Sequence, residues 1–131
     1  MNATIPARLV GVATAVYGAA VVIRPEVLLR PTGLGSGTEP ELRATARLIA
    51  LRDLVSGLAL AIADDPAARR TAAIIRVACD AADTSVFGIA LDGRRERVKT
   101  LAVTAGWGAL CALAAGYEVR GGGWPRRTAT P

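Results

Sequence analysis

Residues 101–117 read LAVTAGWGALCALAAGY, and this stretch decides the fold. It holds apolar, small and weakly polar side chains and no charge at all. A helix in a water-soluble bundle needs a polar stripe facing solvent, and nothing here supplies one. With flanking apolar residues the run extends over 98–119 and stops at Gly121-Gly122-Gly123. That is roughly the length that crosses the hydrocarbon core of a bilayer at a rise of about 1.5 Å per residue.

Three more runs lie upstream. The first covers 7–23, opened by Pro6 and ended at Arg24-Pro25, because the residue before a proline is driven out of the α region. The second covers about 44–63, after a polar stretch at 33–41 and before Asp64-Asp65-Pro66. The third covers about 71–91 and ends at Asp92-Gly93. Short links between four such segments predict an all-α protein, an antiparallel four-helix transmembrane bundle in up-down-up-down order. Residues 1–120 then form one membrane domain, and 121–131 a flexible basic tail. Tyr117 and Trp124 read as anchors at the membrane interface. Gly11, Ala15 and Gly18 form one small face, and Gly57 with Ala61 another, suited to close helix packing in lipid.

The composition agrees. The chain has 131 residues, enough for a single domain, and is 52% hydrophobic but only 4% aromatic. It contains no histidine, so histidine metal sites, triads and proton relays are excluded. Two cysteines, Cys79 and Cys111, lie too far apart for a CxxC motif and read as small buried apolar residues. No metal or other cofactor is called for. The net charge of +5 comes from arginines spaced between the apolar runs, not gathered on one face with aromatics, which argues against a nucleic-acid partner. Lys and Arg totals on the two sides are nearly equal, so orientation is not readable. The competing readings are a soluble helical bundle buried in a dimer, and a signal peptide at the N-terminus.

Charges inside the second and third runs point to function. The second, TARLIALRDLVSGLALAIA, carries Arg47, Arg52 and Asp53; the third, AAIIRVACDAADTSVFGIAL, carries Arg76, Asp80 and Asp83. A charge at the bilayer centre costs several kcal/mol, so these must face inward and neutralise one another. Arg76, Asp80, Asp83 and Phe87 share one helical stripe. With the intervening turn centred near Ala67, Arg52 lies level with Asp80 and Asp83. Arg52 and Asp53 diverge by about 100° and are expected to face different neighbours. Arg47 lies nearer the headgroups. Two central arginines against three carboxylates leave one acid in surplus unless Arg47 reaches in, with Asp83 the candidate for it, and a surplus acid in low dielectric is equipment for acid–base work. Tyr17 and Trp107, near mid-span, line the same cavity.

The stretches RLVGVATAVYGAAVVIRPEVLLRP, ARLIALRDLVSGLAL and RVACDAADTSVFG resemble a family of small four-helix integral membrane proteins of actinobacteria and fungi, over about 8–117. Arg52-Asp53 followed by Gly57, and the Asp80/Asp83 pair, are the more specific parts. The resemblance implies multi-pass residence in the cell membrane and a four-helix fold, and no settled activity. The residues themselves suggest a bound lipophilic small molecule, with Asp80, Asp83 and Asp53 for acid–base catalysis such as cyclisation or isomerisation. Arg52, Arg76, Arg47, Tyr17 and Trp107 would hold the ligand. The alternatives are a small proton-coupled carrier or channel, for which a homodimer is open, and a non-catalytic accessory subunit.

Overall fold

The computed structural model describes residues 4–121, all-helical and without a strand among them. The expected tail from 122 onward and the Trp124 anchor lie outside the described residues. Five helices follow one another: α1 (Thr4–Ile23), α2 (Glu26–Thr32), α3 (Pro40–Ile62), α4 (Pro66–Ala90) and α5 (Glu96–Gly121). The four long helices fall on the four apolar runs, each starting two to five residues earlier. Prolines at the starts of α3 and α4 suit a first turn whose N–H groups have no helical partner. Asp65 caps α4 by accepting from the Ala68 N–H at 2.7 Å.

The short helix α2 is a departure from the sequence reading, which left residues 24–43 as a link. Leu28 and Leu29 are buried there beside Val21, Ala46, Phe87 and Leu91, so tertiary contact stabilises a segment too short to hold helix alone. Gly33 ends it in the left-handed conformation, φ 70°, a cap that glycine adopts without a side-chain clash.

α1 packs most extensively on α3, and α4 on α5; lesser contacts of α1 with α5 and of α3 with α4 close a ring. Glycine makes the α1–α3 seam. A Cβ added at Gly57 would lie 2.6 Å from the Ala15 nitrogen and 2.7 Å from the Gly11 oxygen. One added at Gly18 would lie 2.7 Å from the Ala50 oxygen. The two small faces read from the sequence meet each other. Apolar core gathers at both ends of the ring. Val21, Ala46, Ala50, Phe87 and Leu91 form one cluster, and Ala7, Leu60, Ala72, Ala73 and Ala114 the other.

Two helices, over Ile5–Ile23 and Glu96–Tyr117, are long and apolar enough to cross a membrane. Of their apolar 18-residue stretches, 33% of the first, which lies near the N-terminus, and 17% of the second is buried. α3 and α4 are as long, but their arginines and aspartates keep them out of that class.

In the link before α3, the Glu39 carboxylate accepts hydrogen bonds from the Ser36, Gly37 and Thr38 N–H groups and the Ser36 hydroxyl. Its own backbone N–H, then those bonds, hold the Glu39 carboxyl down to about 2, from an ordinary value of 4.5. A folded value below the unfolded one means a contribution present above about pH 4.5 and lost as pH falls towards 2. We expect the carboxyl carbon signal of Glu39 to titrate near pH 2, and Glu39→Gln to remove that step; titration near 4.5 would show the loop unformed.

Candidate functional site

Between the two apolar ends lies a layer of charge. Arg76 sits at its centre, 2% exposed, and bridges α4 to α3. Its Nη1 donates to Asp53 Oδ1 at 2.6 Å and to Ser56 Oγ at 3.1 Å, and its Nη2 donates to Asp80 Oδ1 one turn along α4. Arg52 grips Asp83 with both Nη atoms, at 3.0 and 2.5 Å, and Nη2 also reaches Asp53 Oδ1 at 3.1 Å. The result is an unbroken chain, Asp83–Arg52–Asp53–Arg76–Asp80. Bidentate and charge-assisted bonds of this kind are the strong ones, and buried charge requires them.

Three expectations need correction. Arg47 is not part of the cluster: it is exposed, and its Nε donates to the Val22 oxygen at 3.2 Å. Five residues before Arg52 it lies about 7.5 Å further along the helix and points well away, beyond the reach of the site. Arg52 and Asp53 do not serve different neighbours, since both reach α4. Their Cβ atoms diverge, but the long arginine stem curls back across the gap. The surplus oxygen is not on Asp83, whose two oxygens are both held by Arg52. It is Asp80 Oδ2, buried and without a hydrogen-bond partner. The expected contact of Arg52 with Asp80 or Asp83 is made with Asp83.

The cluster forms one wall of a cavity of about 330 Å³, with Asp53, Arg76, Asp80 and Asp83 in its lining. The remaining walls are largely apolar and include Val21 and Phe87. Tyr17 and Trp107 line it together, as read from the sequence. Trp107 Nε1 donates to Thr14 Oγ1 at 3.1 Å, and that hydroxyl donates to the Val10 oxygen at 2.9 Å, which fixes the indole. Of the lining residues, Ala13, Tyr17 and Val103 remain exposed, so the mouth lies between the middle and later part of α1 and the first part of α5. Gly108 backs onto the site; a Cβ there would lie 3.1 Å from that of Asp80.

A search of protein families, of curated proteins and of solved structures found no match.

What the site can do follows from its own chemistry. Among the described residues no group of His, Cys, Asp or Glu is arranged to hold a metal ion. Cys79 and Cys111 are free thiols, Cys111 buried. The sequence reading missed Ser56 and Thr14. Ser56, at i+3 from Asp53, shares its helix face, and that spacing was the signal available. Thr14 carried none, because its partner Trp107 lies on a distant helix.

Proposed function

We propose that this is an integral membrane protein of the small four-helix kind that its sequence resembles, binding a lipophilic small molecule in the cavity with Asp80 as its acid–base group. The long helices run up-down-up-down across the bilayer. In support, one apolar cluster joins the start of α1 to the end of α3, the start of α4 and the end of α5, as antiparallel neighbours require. The distribution of polarity is the reverse of a soluble protein's. Arg76, Asp80 and Asp53 are 2%, 5% and 8% exposed, while Leu48 and Ile89 are 70% and 80% exposed. Water would reject that outer surface, and lipid accepts it. We expect the protein to stay with the membrane pellet through an alkaline carbonate wash. Release as a monodisperse species without detergent would contradict the membrane assignment.

The observation that carries ligand binding is the cavity itself, aromatic and apolar, opening sideways and ending on a charged wall. A lipid-dissolved molecule enters from the side, between α1 and α5. Asp80 lines the cavity and its Oδ2 is buried without a hydrogen-bond donor, while Asp53 and Asp83 hold the arginines in place. Proton removal at one atom and return at another by Asp80 is the chemistry of a cofactor-free isomerase or cyclase. The test is calorimetric binding of adamantanol, a rigid neutral cage, in detergent micelles. Ala13→Phe at the mouth should weaken it at least about tenfold, or about 1.4 kcal/mol, with thermal stability unchanged. Equal binding by wild type and Ala13→Phe would place the ligand elsewhere. Absence of binding to the wild type would favour an accessory subunit whose charges only set helix register.

A further inference from the structure

We infer that the ligand of this cavity is a lipophilic amine, held as its ammonium ion between Asp80 and the aromatic wall. This rests on the ligand-binding reading above and adds the charge and chemical class of the ligand. Four observations meet in it. The cluster joins two guanidinium groups, Arg52 and Arg76, to three carboxylates, Asp53, Asp80 and Asp83, a formal sum of −1. Arg47, the remaining cation of the same helix stretch, is engaged at the end of α1. A further anion would raise the imbalance in a low-dielectric interior, whereas one cation cancels it.

The second observation is the unpartnered Asp80 Oδ2 on a side chain only 6% exposed, in the cavity lining. A buried carboxylate oxygen without a donor is costly, and an ammonium N–H supplies that donor as a charge-assisted bond. Third, the rings of Phe87, Trp107 and Tyr17 line the same space. Aromatic faces attract a cation, the indole most strongly, and more so away from water. Fourth, the rest of the lining is aliphatic but for Thr14 and Thr104, which suits an apolar body attached to the charged head.

The experiment compares three cages of one shape by calorimetry in micelles: adamantylamine, adamantanol and adamantane carboxylate. The wild type should bind the amine at least about tenfold more tightly than the alcohol, and the carboxylate most weakly. Asp80→Asn should bring amine and alcohol to within about twofold of each other while the alcohol still binds. Trp107→Phe keeps the carboxylate cluster intact, and should weaken the amine a few-fold and the alcohol little. Should Asp80→Asn fail to fold, the wild-type order and the Trp107→Phe ratio still decide. Equal binding of alcohol and amine, or a preference for the carboxylate, overturns the charge assignment and leaves the ligand-binding reading standing. Failure of all three probes to bind overturns both.

Discussion

Arg76→Met should cost this protein more stability than any other single substitution in the charged layer, on the order of 3–5 kcal/mol. Methionine keeps most of the stem's volume, so packing is nearly conserved and the loss is electrostatic. Asp53 and Asp80 are then left in the interior with the Arg76 guanidinium gone, although Asp53 retains a 3.1 Å bond from Arg52. Arg52→Ala is the informative comparison. It strands less: Asp53 keeps its 2.6 Å bond from Arg76, and Asp83 alone loses its partner. We expect a loss of roughly 1–3 kcal/mol there, the cost of leaving one group without its hydrogen bonds. The double variant Arg76→Met/Asp80→Asn should recover part of the Arg76→Met loss, because it removes one stranded carboxylate. Thermal unfolding in detergent reads all three. If Arg76→Met and Arg52→Ala fall equally, the layer behaves as a diffuse ion network and Arg76 is not its centre.

Gly57→Ala should separate α1 from α3. A single methyl group is asked to occupy space 2.6 Å from the Ala15 nitrogen and 2.7 Å from the Gly11 oxygen, both backbone atoms of the facing helix. Neither can swing aside as a flexible side chain would, so the helices must move apart along the seam. Overpacking of this kind costs roughly 1–3 kcal/mol, and a rigid backbone contact belongs at the upper end. Gly18→Ala should behave alike, its Cβ meeting Ala50 and Leu54 backbone at 2.7 Å. Gly106→Ala is the control: nothing lies within 4 Å of its added carbon, and exchanging glycine for alanine in a helix interior gains up to about 1 kcal/mol. A Gly57→Ala protein as stable as the wild type would mean that the α1–α3 seam is looser than described.

Both expectations bear on the site. The seam brings Thr14 and Tyr17 of α1 against α3, and the charged layer ties α3 to α4. Loss of either should therefore open the cavity as well as lower stability, so binding of a neutral cage should fall together with the melting temperature in Gly57→Ala. In Asp80→Asn the two should part company.

What the sequence determined by itself is the set of long helices and their membership of one charged stripe. Period and length suffice for that: an apolar run ended by Arg24-Pro25 or Asp92-Gly93 is local information, and the spacing of Arg76, Asp80 and Asp83 places them on one face wherever that helix goes. The pairing of Arg52 with Asp83 was legible for the same reason, since a short turn between the two helices sets their levels; the turn expected near Ala67 falls at residues 63–65, because Pro66 already opens α4. Tertiary structure decided the rest. Helix α2 forms because Leu28 and Leu29 find a pocket beside Val21 and Phe87, a gain invisible in a seven-residue segment. The free oxygen falls on Asp80 and not on Asp83 because the guanidinium of Arg52 approaches Asp83 along both lone-pair directions, while Arg76 offers Asp80 a single nitrogen. Sequence counts charges, and three carboxylates against two arginines leave one negative charge over. Which carboxylate oxygen goes without a donor depends on side-chain reach across the gap between helices, and only the packed bundle sets that distance.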